Sequence, residues 1–179
     1  MRQLKHVISE SSNPNDHDEV MKEFIEHAPT DRGALLFAIH RGKVSEGMDL
    51  KDRQARCVVC IGIPYPNLGE VKPKRDYNDK YAKDPTRSLL NGSQWYNVQA
   101  YRALNQAVGR CVRHRADWGA VLLVDSRFAA AGPRAHLPSW VRNYIDIQPH
   151  STTSLVSDDD RSLKTFMERM QLEDDGASY

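Results

Sequence analysis

The chain has 179 residues, 40% of them hydrophobic, with 25 basic and 24 acidic side chains. That length supports one domain with a real core, and a formal net charge of +1 excludes a wholesale basic nucleic-acid binder while leaving room for a local basic surface. No apolar run approaches a membrane span and the amino terminus lacks a signal-peptide pattern, so the chain reads as soluble and intracellular, without a membrane partner.

In chain order, residues 1–8 predict a strand, and Ser9–Asp18 is a polar loop. Asp16 is placed to cap a helix over His17–His27 with an apolar stripe of Val20, Phe24 and Ile25. Gly33–Ile39 is a short unbroken apolar run, which suits a strand buried on both faces of a parallel sheet. Arg56–Ile61 predicts a second strand, stopped by Pro64 and Pro66. Residues 67–92 read as a charged, exposed insertion with a short helix near Lys74–Ala82. Its bases, with Tyr77 and Tyr81, could engage phosphates and stacked bases or simply be solvated, and Asp76, Asp79 and Asp84 weaken the local potential.

A long helix is predicted over Ser93–His114, then a strand over Gly119–Asp125. Asp125-Ser126-Arg127-Phe128 closes that strand, as a salt-bridged turn or as a catalytic element. Leu137-Pro-Ser-Trp140 reads as an anchoring hydrophobic turn, and Tyr144–Ile147 as an edge strand. Ser157–Leu172 predicts a final helix with Asp158–Asp160 at its positive end, followed by a frayed polar tail. The alternation of strands and helices favours a parallel sheet covered on both faces. The domain division is residues 1–150, then 151–179 as a terminal helix and tail.

The three cysteines fit a reducing compartment rather than a disulfide framework. Cys57 and Cys60 form a C-x-x-C spacing, but on a strand residues three apart point to opposite faces, so they read as core residues and no metal site is expected.

Two segments carry chemistry. Arg41-Gly-Lys-Val-Ser-Glu-Gly-Met-Asp49 follows the first strong strand, at the carboxyl end where open α/β sheets place ligands. There Lys43 and Ser45 can meet phosphates and Asp49 can accept from a ribose hydroxyl, although such a turn can equally be only a turn. In Gln106-Ala-Val-Gly-Arg-Cys-Val-Arg-His114, helical geometry puts Gln106, Arg110 and Arg113 within about 60° of one another, opposite Tyr101, Leu104, Val108, Cys111 and Val112. A guanidinium fork suits phosphate oxygens, and the alternative is a solvated basic face. His114 reads as a surface residue beside Arg115, and Trp95 and Tyr96 as core or interface.

The string R-G-K-V-S-E-G-M-D, with I-G-I-P-Y-P-N and Q-W-Y-N-V-Q-A-Y-R-A-L-N-Q-A-V-G-R-C-V-R-H-R-A-D-W-G-A after it, resembles the second motor domain of XPD-type iron–sulfur helicases of superfamily 2. Within that family the Q-W-Y…Q-A-Y-R-A-L-N-Q and K-R-D-Y-N-D segments are most similar to the Fanconi anaemia group J (FANCJ) branch. R-A-H-L-P-S-W-V is shared with the RTEL-type telomere helicases, which rank second. The resemblance covers about residues 30 to 145.

It implies a RecA-like α/β domain, incomplete at its amino terminus, within an ATP-dependent DNA helicase of DNA repair in the nucleus. By the resemblance, Arg110, Arg113 and Gln106 are catalytic, Gly47, Asp49 and Gly109 bind nucleotide, and Lys43 and Ser45 bind DNA. ATP with Mg2+ would be held mainly by a first motor domain, whose phosphate loop G-x-x-x-x-G-K-[ST] and D-E-A-H motif do not occur in these residues. The family's 4Fe–4S cluster needs four cysteines of that other domain. The chain is therefore expected to be a fragment, inactive alone, whose partners are single-stranded or forked DNA and repair proteins. The alternative is a non-catalytic module that binds DNA or a repair partner.

Overall fold

The computed structural model describes residues 5–44, 50, 52–112, 114, 117–147 and 162–176. Its strands form two parallel pairs. β1 (His6–Ser9) runs beside β2 (Ala34–Phe37) with His6 opposite Ala34 and Ser9 opposite Phe37. β3 (Cys57–Ile61) runs beside β4 (Ala120–Val124) with Cys57 opposite Ala120 and Ile61 opposite Val124. A parallel pair needs a crossover, and helices supply both. α1 (His17–His27) links β1 to β2, while α2 (Leu68–Tyr81) and α3 (Gly92–Val108) link β3 to β4.

α1 has the predicted bounds, but its details differ. Asp16 makes no cap bond to the helix backbone, because its carboxylate accepts from Ser11 Oγ at 2.7 Å and Asn13 Nδ2 at 2.9 Å. Phe24 is buried against Ile8 and Leu50, with Val20 and Met21 beside it; Ile25 faces outward. The predicted double burial of β2 does not occur. Phe37 is 48% exposed and Ile39 73%, since α1 covers one face and nothing among the described residues covers the other at those positions.

The larger core gathers on α3. Ala100, Tyr101, Leu104 and Val108 lie on one stripe and pack against Cys60, Phe128, Leu137 and Val141, with Val58, Val121 and Leu123 of the strands at its border. The period-two geometry of a strand turns Val59 and Ile61 the other way, and both are exposed. Cys57 is also exposed and Cys60 buried, so the divergence of the C-x-x-C pair holds, whereas the assignment of Cys57 to the core does not. Leu137 and Val141 are the anchors of the turn around α4 (Ala131–Ala135) and α5 (Ser139–Arg142); Trp140 is 41% exposed. Residues 145–147 adopt no strand, and Ile145 packs on the α3 core instead.

The insertion is more ordered than its charge suggests. α2 begins at Leu68, capped by Asn67, and continues through Pro73. Its hold on α3 comes from the K-R-D-Y-N-D segment: buried Asn78 donates to Leu90 O at 3.0 Å, and Asp79 Oδ1 accepts from Gly92 N at 2.7 Å. Gly92 is required there, because a Cβ would meet Arg75 O and Asp79 Oδ2 at 2.6 Å. Asn91 and Gln94 add a reciprocal capping box to the start of α3.

α6 (Leu163–Gly176) starts later than predicted and ends later. Ser162 Oγ accepts from Thr165 N at 3.1 Å and serves as its cap, while Asp158–Asp160 lie outside the described residues. The expected frayed stretch at Glu173-Asp-Asp-Gly is helical. Two acids in a last turn oppose the helix dipole, but Arg53 and Arg56 meet them at 2.7 Å to Asp175 and 2.9 Å to Asp174. Arg56 also bridges buried Asp117 at 2.8 Å and stacks 4.2 Å from the Trp118 ring centroid, and Phe166 meets Trp118 edge-on. Removing this arginine takes the ion-pair partner from a buried carboxylate, so Arg56→Ala is expected to destabilise the chain by about 3 kcal/mol and to loosen α6. Urea unfolding, with amide exchange along 163–176, measures both.

Candidate nucleotide and nucleic-acid site

The loop after β2 is held from two directions. Its Arg41 has φ +68°, a left-handed conformation that is strained for a residue with a side chain. What holds it is the guanidinium, whose Nη2 donates to Gln99 O at 2.7 Å, with Pro64 O at 3.5 Å. The carboxyl ends of β2 and β3 are thereby tied to the middle of α3. On the other side, Glu10 at the end of β1 accepts from Ile39 N at 2.8 Å and Val44 N at 3.1 Å.

Lys43 sits in this clamped stretch. With Glu10, Ser11, Asn13 and His17 it lines a cleft of about 180 Å³ at the start of α1. Val44 is fully buried and fixes the inner side of the loop. His40 is half-buried, and burial, with Arg41 second, holds its pKa below the ordinary imidazole value, which favours the neutral ring at pH 7. Ser45, Gly47 and Asp49 lie outside the described residues.

The Gln106–Arg110 group is at the far end of α3. About 13 Å of helix separates Gln99, where Arg41 attaches, from Val108. The helix stops at Val108 rather than at His114: Gly109 N donates to Asn105 O at 3.0 Å, but Arg110 N and Cys111 N reach back only three residues, to Ala107 O and Val108 O. Arg110 therefore stands on a tight turn, and the helical wheel that groups it with Gln106 ends one turn short. Gln106 and Gly109 are exposed, and Arg110 is half-buried. Arg113 lies outside the described residues.

Cys111 explains the early stop. Its sulfur lies 3.3 Å from Ala120 O and 3.8 Å from Ala55 O, against the starts of β4 and β3, and it is 1% exposed. To get there it passes the backbone of Gly119, where any Cβ would collide with the sulfur. Burial pushes the Cys111 thiol up to about 12 and Cys60 to about 11.

Other candidates make contacts within the fold. Asp125 and Arg127 form the salt-bridged turn, with Nη2 to Oδ2 at 2.6 Å, and the Arg127 hydrogen bond is the main reason the Asp125 pKa is lowered. Tyr96 donates to Pro66 O at 2.8 Å and faces Tyr65, an interface role within the fold. Tyr77 and Tyr81 pack on each other, with Lys74 over one and Lys80 and Arg87 over the other. Sequence reasoning missed Glu10, hidden in a polar loop, and the tie from Arg41 to a main-chain carbonyl; only the glycine at 42 hints at the first.

The arrangement sets the Lys43 loop against the middle of α3 and the Arg110 turn at its carboxyl end. Comparison with known proteins gives it a family: residues 1–144 match the model of the helicase C-terminal domain. The chain belongs to the helicase C-terminal domain family. It is 46% identical over 178 residues to the Fanconi anemia group J protein homolog of Gallus gallus, an alignment covering 94% of this chain and 14% of that protein. It is 40% identical over 150 residues to the Regulator of telomere elongation helicase 1 homolog of Drosophila grimshawi, with 83% of this chain and 15% of that protein covered. The homolog of the same name in Drosophila persimilis matches at 40% over the same coverage. The chain thus spans about one seventh of the length of these curated relatives.

All three relatives match the XPD-type resemblance read from the motifs, and the paired parallel strands with packed helices are consistent with the RecA-like α/β arrangement of a helicase C-terminal domain. Among the described residues no three His, Cys, Asp or Glu side chains converge on an ion position. The thiols offer a direct check of this site's packing. With native protein at pH 8, iodoacetamide is expected to label Cys57 alone, and Cys60 and Cys111 only after unfolding, as peptide mass spectrometry would report.

Proposed function

We propose that this helicase C-terminal domain supplies the arginine side of an ATP site and part of the single-stranded DNA track of an ATP-dependent DNA helicase acting in DNA repair in the nucleus. The observation that carries the reading is the α3 unit itself. One helix is tied at its middle to the Lys43 loop through Arg41 and ends in the turn that bears Arg110, with Gln106 one turn before.

The donor set fits a triphosphate. Arg110 offers a permanent cation on a half-buried turn, Gln106 an exposed amide, and Gly109 close approach rather than a donor, because its N–H already binds Asn105 O. ATP with Mg2+, when bound, would supply the phosphoryl group transferred to water, and a first motor domain would provide the phosphate loop and metal ligands. In this reading Arg110 and Arg113 stabilise negative charge developing on the transferred phosphoryl oxygens, and Gln106 orients the site. Gly47 and Asp49 contact the nucleotide, and Lys43 and Ser45 hold DNA phosphates. Closure on the nucleotide moves α3 as a unit, and Arg41 passes that movement to the DNA-facing loop. The group J type of substrate, forked or single-stranded DNA with repair proteins as partners, is part of the same proposal, and the 46% identity to the Fanconi anemia group J protein homolog supports it.

Two measurements test this. In a full-length helicase carrying this segment, Arg110→Ala or Arg113→Ala is expected to lower DNA-stimulated ATP hydrolysis about 10³-fold while nucleotide binding is largely retained. Unchanged hydrolysis would remove the arginine assignment. The 179-residue chain assayed alone with single-stranded DNA is expected to show no ATP turnover, since no phosphate-loop motif occurs in it. Robust turnover would refute the division of labour between two domains.

A further inference from the structure

We propose that Glu10 is a positioning residue for the Lys43 loop: its carboxylate, rather than its bulk, sets where that loop presents itself to DNA. The inference deepens the DNA-track reading above and rests on it for its functional consequence.

Glu10 leaves β1 at the point where the strand ladder ends, with Glu10 N donating to Phe37 O at 2.8 Å as the last rung. From there the side chain crosses to the next loop. Oε2 accepts from Ile39 N at 2.8 Å and Oε1 from Val44 N at 3.1 Å, so the two oxygens bracket residues 39–44. Both oxygens must be acceptors, because both partners are backbone N–H groups. Only an ionised carboxylate meets that demand; an amide of the same shape would aim an N–H at an N–H.

Gly42 lies inside the bracket. A Cβ there would sit 2.6 Å from Oε1, 2.7 Å from Oε2 and 2.9 Å from Ile39 O, so the glycine is the shape that lets the carboxylate in. Gly42 N closes the turn on Ile39 O at 2.9 Å. Lys43 follows directly, and it shares the cleft wall with Glu10. Opposite, Arg41 pins the loop to Gln99 O. The loop is thus stretched between an acid from β1 and a carbonyl of α3, and loss of the carboxylate removes the hydrogen bonds that tie it to β1.

The chief test is Glu10→Gln, which keeps volume and shape. In the 179-residue chain, hydrogen exchange at the Ile39 or Val44 amide is expected to accelerate at least about tenfold, with the thermal midpoint nearly unchanged. In a full-length helicase carrying the segment, the oligothymidylate concentration for half-maximal ATPase stimulation is expected to rise about tenfold, while kcat at saturating DNA and KM for ATP hold. A role in packing alone would move neither readout in this isosteric variant. Exchange at both amides unchanged would overturn the proposal, as would faster exchange with an unmoved half-saturation. Absence of any DNA stimulation in the wild-type helicase would instead sink the DNA-track reading, with the exchange result still deciding the role of Glu10 in the loop. Should Glu10→Gln fail to fold, Gly42→Ala displaces the carboxylate from the other side, and the same shifts are expected of it, with unchanged exchange and half-saturation again overturning the proposal.

Discussion

The packing of α3 against β3 and β4 is the constraint on which the rest of the domain depends. Its buried stripe runs from Ala100 to Val108, and β3, β4, α2 and the segment from Phe128 to Ile145 are packed or tied to it. The amino-terminal end is held by Asn91, Gln94 and the Asp79 carboxylate of α2. The middle receives Arg41 and the carboxyl end is pulled down by Cys111 onto the strand starts. Buried apolar contacts of this kind are individually worth about 1.5–3 kcal/mol per large side chain, and they favour one rigid placement over many loose ones.

α3 joins two segments that carry candidate site residues. The loop bearing Lys43 meets the helix at Gln99, and the turn bearing Arg110 follows it at Val108. That arrangement suits a motor, in which a nucleotide-driven closure has to be felt by a nucleic-acid strand. The local strain at Arg41 and the carboxylate at Glu10 belong to the same design, since each fixes a loop that a bare polar turn would leave undefined.

The K-R-D-Y-N-D segment and α6 show how charge is used for architecture here. Asn78 and Asp79 look like parts of a solvated run, yet they stitch two helices together through Leu90 O and Gly92 N. Asp174 and Asp175 look like tail, yet they meet Arg56 and Arg53 beneath the sheet. In both cases the polar group is used where backbone or buried charge demands a partner.

Composition, periodicity and motif strings carried the parallel α/β class, α1 to the residue, the apolar stripe of α3 and the divergence of Cys57 from Cys60, because these depend on local repeat geometry. They also carried the family, because R-G-K-V-S-E-G-M-D and Q-A-V-G-R-C-V-R-H are contiguous. Where α3 ends, which face of β2 and β3 stays open, and how far α6 runs were decided by tertiary contacts: Cys111 against Gly119, α1 and α3 each covering one face, and Arg53 and Arg56 against Asp175 and Asp174. Glu10 and Gly42 are 32 residues apart, and no local pattern can announce that one's carboxylate fills the space where the other's side chain would be.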